Sequence, residues 1–302
     1  MNYADRLDAA VAQKRNPCLI GLDPHLDKLP PEFKAAADPE SSVQERATDV
    51  QRFLLEIIEL VAPLVPAVKP QSAFFEELGA PGAQAWEHVL KAARDAGLLI
   101  IGDVKRGDIG STSAAYARAF TAPNNLAARC DAITVNPYLG EEGVQPFVEA
   151  CAENGTGLYV LVRTSNPGSA RIQLHGEPPL CELVAEDVHR WGTSSDWPTL
   201  MGECGYSSIG AVVGATRAEE MARLREIMPH TPFLLPGYGA QGAGASDIVG
   251  GFVEGRSGAL VNSSRGILFA GANERYARLS WQGAVLAATK DMVSDIEAAL
   301  ST

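Results

Sequence analysis

Short apolar runs alternate with longer amphipathic stretches along nearly the whole chain. Eight runs read as strands: residues 18–23, 67–69, 98–103, 132–136, 157–163, 209–214, 232–235 and 259–262. Within them apolar residues follow one another without strict alternation, as expected of parallel strands covered on both faces. Between them, apolar positions recur every three or four residues, the spacing of one helix face. These stretches are 43–61, 82–96, 113–129, 143–153, 180–191, 218–228 and 246–253. Eight strand–helix units in 302 residues predict an α/β protein built as a closed (β/α)8 TIM barrel rather than an open doubly wound sheet. Extra helices are expected at 3–15, plugging the bottom, and at 277–300, at the C-terminal end. No repeat, low-complexity tract or linker divides the chain, so residues 1–302 are expected to form a single barrel domain.

Composition adds exclusions. Hydrophobic residues make up 46% and charged residues 21%, ordinary for a globular protein. The 37 Asp and Glu outnumber the 25 Lys and Arg for a net charge of −12, which argues against a nucleic-acid partner. An anionic substrate would therefore need a locally positive site. Cys18, Cys130, Cys151, Cys181 and Cys204 are scattered without a Cys-x-x-Cys pair, which favours reduced thiols over a disulfide frame or zinc site. The five histidines share no metal-ligand spacing, so no metal is expected. The amino terminus lacks an apolar signal core, and no apolar run approaches the ~18 residues of a membrane span. A cytoplasmic protein without a membrane partner is expected.

The strand ends carry the chemistry. Asp23 ends the first strand, Lys69 the second and Asn136 the fourth, while the fifth leads into Arg163-Thr164-Ser165-Asn166. The third opens into Asp103-Val104-Lys105-Arg106-Gly107-Asp108. Strand residues two apart face the same way, so Asp103 and Lys105 are expected to point together. A lone strand-end lysine is more often a solvated charge. Lysines and aspartates alternating at one mouth are better explained by catalysis, because barrel enzymes act at the strand C-termini. After the seventh strand comes the glycine-rich Pro236-Gly237-Tyr238-Gly239-Ala240-Gln241, and after the eighth Asn262-Ser263-Ser264-Arg265. Glycine allows close approach of backbone N–H groups to an anion, and arginine makes bidentate phosphate contacts. Loops in these places form the usual phosphate site of such barrels. Tight turns alone would explain the glycines but not Gln241 and Arg265.

This combination resembles the orotidine 5'-phosphate decarboxylase family: Asp-x-Lys-x-x-Asp at Asp103, Lys105 and Asp108, a lysine ending the second strand, Pro-Gly-x-Gly-Ala-Gln after the seventh, and an arginine after the eighth. The stretch from Asp103 to Thr112 and the run Val261 to Arg265 are similar to the longer bacterial subgroup. One departure is Ser264, where shorter members carry glycine; a backbone N–H remains available there. The resemblance spans all eight units. It implies cofactor- and metal-free decarboxylation of orotidine 5'-phosphate to UMP, in pyrimidine biosynthesis, through a C6 carbanion stabilised and protonated by Lys105. It implies that Asp103 faces the departing carboxylate and that Lys69 and Asp108 complete the charge network. By the same resemblance Asp23 binds ribose, Ser165 and Asn166 read the pyrimidine, and Gln241, Ser264 and Arg265 hold phosphate beside Pro236. Asp108, Ile109 and Thr112 are implied to reach into a partner subunit's site, making a homodimer with shared active sites.

The nearest alternative is a Mg2+-dependent 3-hexulose-6-phosphate synthase or 3-keto-gulonate-phosphate decarboxylase, which uses the same third-strand motif; the seventh-strand turn favours the orotidylate reading. A Schiff-base aldolase is disfavoured because flanking carboxylates keep Lys105 protonated. A non-catalytic phosphate-binding barrel would not need the charge alternation.

Overall fold

The eight apolar runs close into one parallel barrel in sequence order, with the last strand bonded back to the first. The structure is a computed structural model that describes residues 1–125, 128–215, 218–239, 244–253 and 257–301. The strands are β1 Cys18–Leu22, β2 Ala67–Pro70, β3 Leu99–Arg106, β4 Ala132–Val135, β5 Gly157–Arg163, β6 Ile209–Val213, β7 Phe233–Pro236 and β8 Ala259–Ser263. The longer helices are α1 Tyr3–Lys14, α2 Val43–Val61, α3 Gly79–Asp95, α4 Gly110–Thr121, α5 Glu141–Asn154, α6 Leu180–Thr193, α7 Ala218–Ile227 and α8 Trp281–Leu300.

Each strand contributes one side chain to an inner apolar layer: Leu19, Ala67, Ile101, Ala132, Tyr159, Val212, Leu234 and Leu260. Tyr3, Leu7 and Val11, spaced four apart on α1, pack beneath that layer. The expected plug is therefore present, and the Tyr3 and Tyr159 hydroxyls share a hydrogen bond of 3.0 Å inside it. Gly157 makes room for the Tyr3 ring, since a Cβ there would lie 2.2 Å from Cδ1. The outer core lies between strands and helices, with α8 adding Ala284, Val285, Met292 and Ile296.

Several element ends differ from expectation for local reasons. α4 ends at Thr121, not 129, because Ala122 precedes Pro123 and takes an extended backbone, as residues before proline do. α8 starts at Trp281, not 277, where the Ser280 side chain accepts a hydrogen bond from the Gly283 N–H and caps the first turn. The expected 246–253 helix is a single turn, Ala245–Ile248, followed by a tighter turn, Val249–Gly251. β3 runs three residues past Asp103, so Lys105 lies on the strand itself. Among the described residues no helix is long and apolar enough to cross a membrane.

Candidate active site

At the C-terminal ends of the strands lies a cavity of about 1030 Å3. Nine residues expected at the site line it: Asp23, Lys69, Asp103, Lys105, Ser165, Asn166, Pro236, Ser264 and Arg265. At its base Asp103 is buried and accepts four hydrogen bonds. Lys69 Nζ at 2.6 Å and Gln71 Nε2 at 3.0 Å reach Oδ2. Lys105 Nζ at 2.5 Å and the Thr134 hydroxyl at 2.9 Å reach Oδ1. Burial alone would push the Asp103 carboxyl up, but the Lys69 and Lys105 ammonium groups hold it well below the usual carboxylate range. Burial works against the charge on Lys69, and the Asp103 and Asp23 carboxylates overcome it, leaving its ammonium harder to deprotonate. Both groups are charged at neutral pH. Withdrawing one partner from so buried a pair typically costs about 3–5 kcal/mol.

Asp103 and Lys105 meet as expected, but not by simple alternation. Gly102 lies opposite Ile133, yet Arg106 lies opposite Val135, so β3 spends four residues where β4 spends two. Within this bulge Lys105 has φ +43, the left-handed region that side-chain-bearing residues enter at a cost of about 1–2 kcal/mol. The Lys105 side chain remains 46% exposed toward the cavity, against 6% for Lys69. Arg106 turns away, pairs with Glu76 and lies over the Tyr116 and Phe120 rings. It braces the junction between β3 and α4.

The rim is polar and partly unpartnered. Asp23 Oδ1 and Asn262 Oδ1 are buried acceptors without a hydrogen-bond donor, and both residues line the cavity. No carboxylate among the described residues pairs with Arg265, which opens a helical turn at the rim. The Ser264 side chain fills the space over Gly21, where a Cβ would fall 1.9 Å from Ser264 Oγ. Tyr238 anchors the turn after β7 to α8 through a 2.5 Å bond from its hydroxyl to Asp295. Arg163 does not line the cavity. It is buried and bonds Glu220 at 2.7 Å, Ser169 Oγ at 2.6 Å and the Thr164 carbonyl at 2.9 Å, so it shapes the segment bearing Ser165 and Asn166.

Three expected residues lie elsewhere. Asp108, Ile109 and Thr112 do not line the cavity; Ile109 is 57% exposed. Gln241 lies outside the described residues. Gln71 and Thr134 were not anticipated, although each carries a signal: Gln71 is two residues past Lys69, and Thr134 two before Asn136, on the same faces of their strands.

A family model described as the "Orotidine 5'-phosphate decarboxylase / HUMPS family" matches residues 31–279. The chain belongs to this family. It is 41% identical to the orotidine 5'-phosphate decarboxylase of Rhodopirellula baltica over 97% of this chain and 98% of that protein. It is 36% identical to that of Caldicellulosiruptor bescii across the whole of both chains. The solved structure of Leishmania donovani OMP decarboxylase is 30% identical with a TM-score of 0.75, covering all of both chains. In this family setting the Lys69–Asp103–Lys105 row is the feature to explain chemically.

Proposed function

We infer that this protein decarboxylates orotidine 5'-phosphate to UMP. The observation that carries the reading is the Lys69–Asp103–Lys105 row at the base of one cavity, with Lys69 and Asp103 buried and Lys105 facing the cavity. Losing CO2 from C6 leaves an electron pair that the ring π-system cannot take up. Fixed charges placed where that pair develops are the remaining stabilisation. The Lys105 ammonium fits this role, because it reaches the cavity and carries the proton that C6 must gain. Asp103, held ionised by its four donors, fits opposition to the departing carboxylate. Like charges ~4 Å apart repel by roughly 4 kcal/mol at an effective dielectric of about 20, and neutral CO2 relieves that repulsion. Lys69 keeps Asp103 from relaxing its charge by protonation.

The remaining roles rest on the motif resemblance together with a place in the cavity wall. Asp23 is assigned to the ribose hydroxyls on its motif, and Asn262 on the neighbouring strand carries a second unpartnered oxygen. Ser165 and Asn166 are assigned to the pyrimidine edge and Arg265 with Ser264 to the phosphate on their motifs, and all four line the cavity. Gln241 is assigned to the phosphate on its motif. Phosphate binding far from the reacting carbon supplies energy for ordering the site. The Mg2+-dependent sugar-phosphate reading fits less well, because two ammonium groups already neutralise the carboxylate a cation would need.

The direct experiment is to follow loss of orotidylate ultraviolet absorbance with purified protein and EDTA. Turnover is expected; activity only after Mg2+ addition would overturn the reading.

A homodimer with shared sites is part of this proposal. Asp108 lies outside its own barrel's cavity, and Ile109 beside it is exposed, which suits a segment that completes a neighbour's site. Chains carrying Lys105→Ala and Asp108→Ala, mixed and allowed to exchange, are expected to regain about a quarter of wild-type activity, through one intact site per heterodimer. No recovery despite verified exchange counts against shared sites. The whole chain is taken as one catalytic unit, and the free cysteines are compatible with a cytoplasmic location.

A further inference from the structure

Lys105 is unusual among the strand residues. Among the described residues, the two non-glycine ones with positive φ are Arg15 and Lys105. Arg15 terminates α1, where a left-handed residue is common. Lys105 lies inside β3, at the point where four residues of β3 face two of β4. Something local must hold it there, because a solvent-facing lysine gains nothing from that conformation.

Thr134 sits inside the mismatch and is 1% exposed. Its hydroxyl accepts the Lys105 N–H at 3.0 Å and donates to Asp103 Oδ1 at 2.9 Å. The Lys105 ammonium reaches the same Oδ1 at 2.5 Å. One hydroxyl therefore fixes the Lys105 main chain from one side and the oxygen that receives its side chain from the other. A hydroxyl can accept one proton and donate another, which a valine of the same shape cannot do.

We propose that Thr134 is a positioning residue: its hydroxyl holds the left-handed Lys105 backbone and the Asp103 carboxylate in the single arrangement that aims the ammonium into the cavity. This rests on the decarboxylase reading for the task of Lys105, but the hydroxyl bridge stands independently of the substrate. Without it, the Lys105 backbone loses its tie to β4 and the ammonium samples solvent. Phosphate and ribose contacts lie elsewhere on the rim and are unaffected.

The test compares Thr134→Val and Thr134→Ser with wild type, using orotidine 5'-phosphate turnover and amide hydrogen exchange without substrate. Thr134→Val is expected to lower kcat about 10^2-fold, the scale of a misplaced reacting group, with KM little changed. Thr134→Ser keeps both bonds and should retain most of kcat. Exchange at the Lys105 amide should accelerate in Thr134→Val while Ile133 stays protected. Equal kcat losses in both variants, or an unaltered Lys105 exchange rate in Thr134→Val, overturn the proposal. If Thr134→Val does not fold, a protected Lys105 amide in wild type with an active Thr134→Ser supports it, and rapid wild-type exchange overturns it. An inactive wild type would instead sink the decarboxylase reading, while the exchange comparison still decides the bridge.

Discussion

At the bottom of the barrel, α1 lies across the strand beginnings and leaves a cavity of about 20 Å3; at the top, the strand ends surround one of about 1030 Å3. Particular polar groups differ between the two ends. Below, Tyr3 meets Tyr159, Arg6 pairs with Asp131, and the Asn2 amide donates to the Thr199 carbonyl at 3.1 Å. Above, Asp23 and Asn262 keep acceptors without donors and Arg265 has no carboxylate partner among the described residues. One barrel thus separates two demands. The closed end is filled by α1 and supports stability, although the buried Thr231 hydroxyl there also lacks a partner, while the open end keeps a cavity of ligand size. Lys69 and Asp103 belong to the open end yet are as buried as a core pair, so there the two demands meet.

Lys105→Ala should break the comparison most sharply. Removing the ammonium from the open end is expected to cost about 10^3-fold or more in kcat, while the thermal midpoint stays near wild type because the side chain is half exposed. A variant retaining a tenth of kcat would remove Lys105 from the chemistry. The converse is Tyr3→Ala at the closed end. Emptying the fully buried site of that ring should destabilise by about 4 kcal/mol, with kcat unchanged in protein that remains folded. Denaturant unfolding together with steady-state kinetics separates these results.

Arg265→Ala sharpens the comparison within the open end. Loss of a phosphate-binding guanidinium should lower kcat/KM about 10^2-fold without moving the reacting groups. A loss below about tenfold, a smaller effect than bidentate recognition supplies, would reject the phosphate role. The smallest effect concerns pH. Asp103 is held below its ordinary range, so its stabilisation is present above the unfolded carboxylate value of about 3.9 and lost as pH falls through the folded one. Lys69 is raised, so its contribution is complete below about 10.4 and lost as pH rises through the folded value. Between these limits the pair adds no pH dependence. In Lys69→Met the Asp103 carboxyl is less depressed, so the acid-side loss of stability should start at the same pH but be smaller and finish at a higher pH than in wild type. Coincident acid limbs in unfolding measurements would show that Lys69 does not hold the carboxylate.

Much of this division was legible in the chain before folding was considered. Uninterrupted apolar runs located all eight strands, since parallel strands buried on both sides have no polar face to confuse the pattern. The expected charges at strands one, two and three line one cavity for the same reason: closure brings all strand C-termini to one face. What periodicity could not reveal was the bulge. Alternation predicts that Asp103 and Lys105 face one way, which is true in outcome, but the contact depends on a left-handed backbone at Lys105 and on Thr134 across the ladder. Such pairing depends on register between distant segments and leaves no local signature. The strand spacing that links Gln71 to Lys69 and Thr134 to Asn136 hints at their side but not at their contacts with Asp103. The end of α4 was missed by eight residues because Pro123, a strong stop, sits inside a helical apolar pattern.

The contact between Gly21 and Ser264 constrains which substitutions can accumulate. Alanine at 21 would put its methyl 1.9 Å from Ser264 Oγ and 3.0 Å from Asn262 Oδ1, so it is blocked while the Ser264 hydroxyl stays in place. Changing 264 to glycine first removes the worse clash, leaving only a small adjustment of Asn262. The two positions lie 243 residues apart in sequence yet share one space, so a side chain at 21 requires Ser264 to turn aside or become smaller. A scan of single substitutions at 21 would record intolerance that belongs to its neighbour.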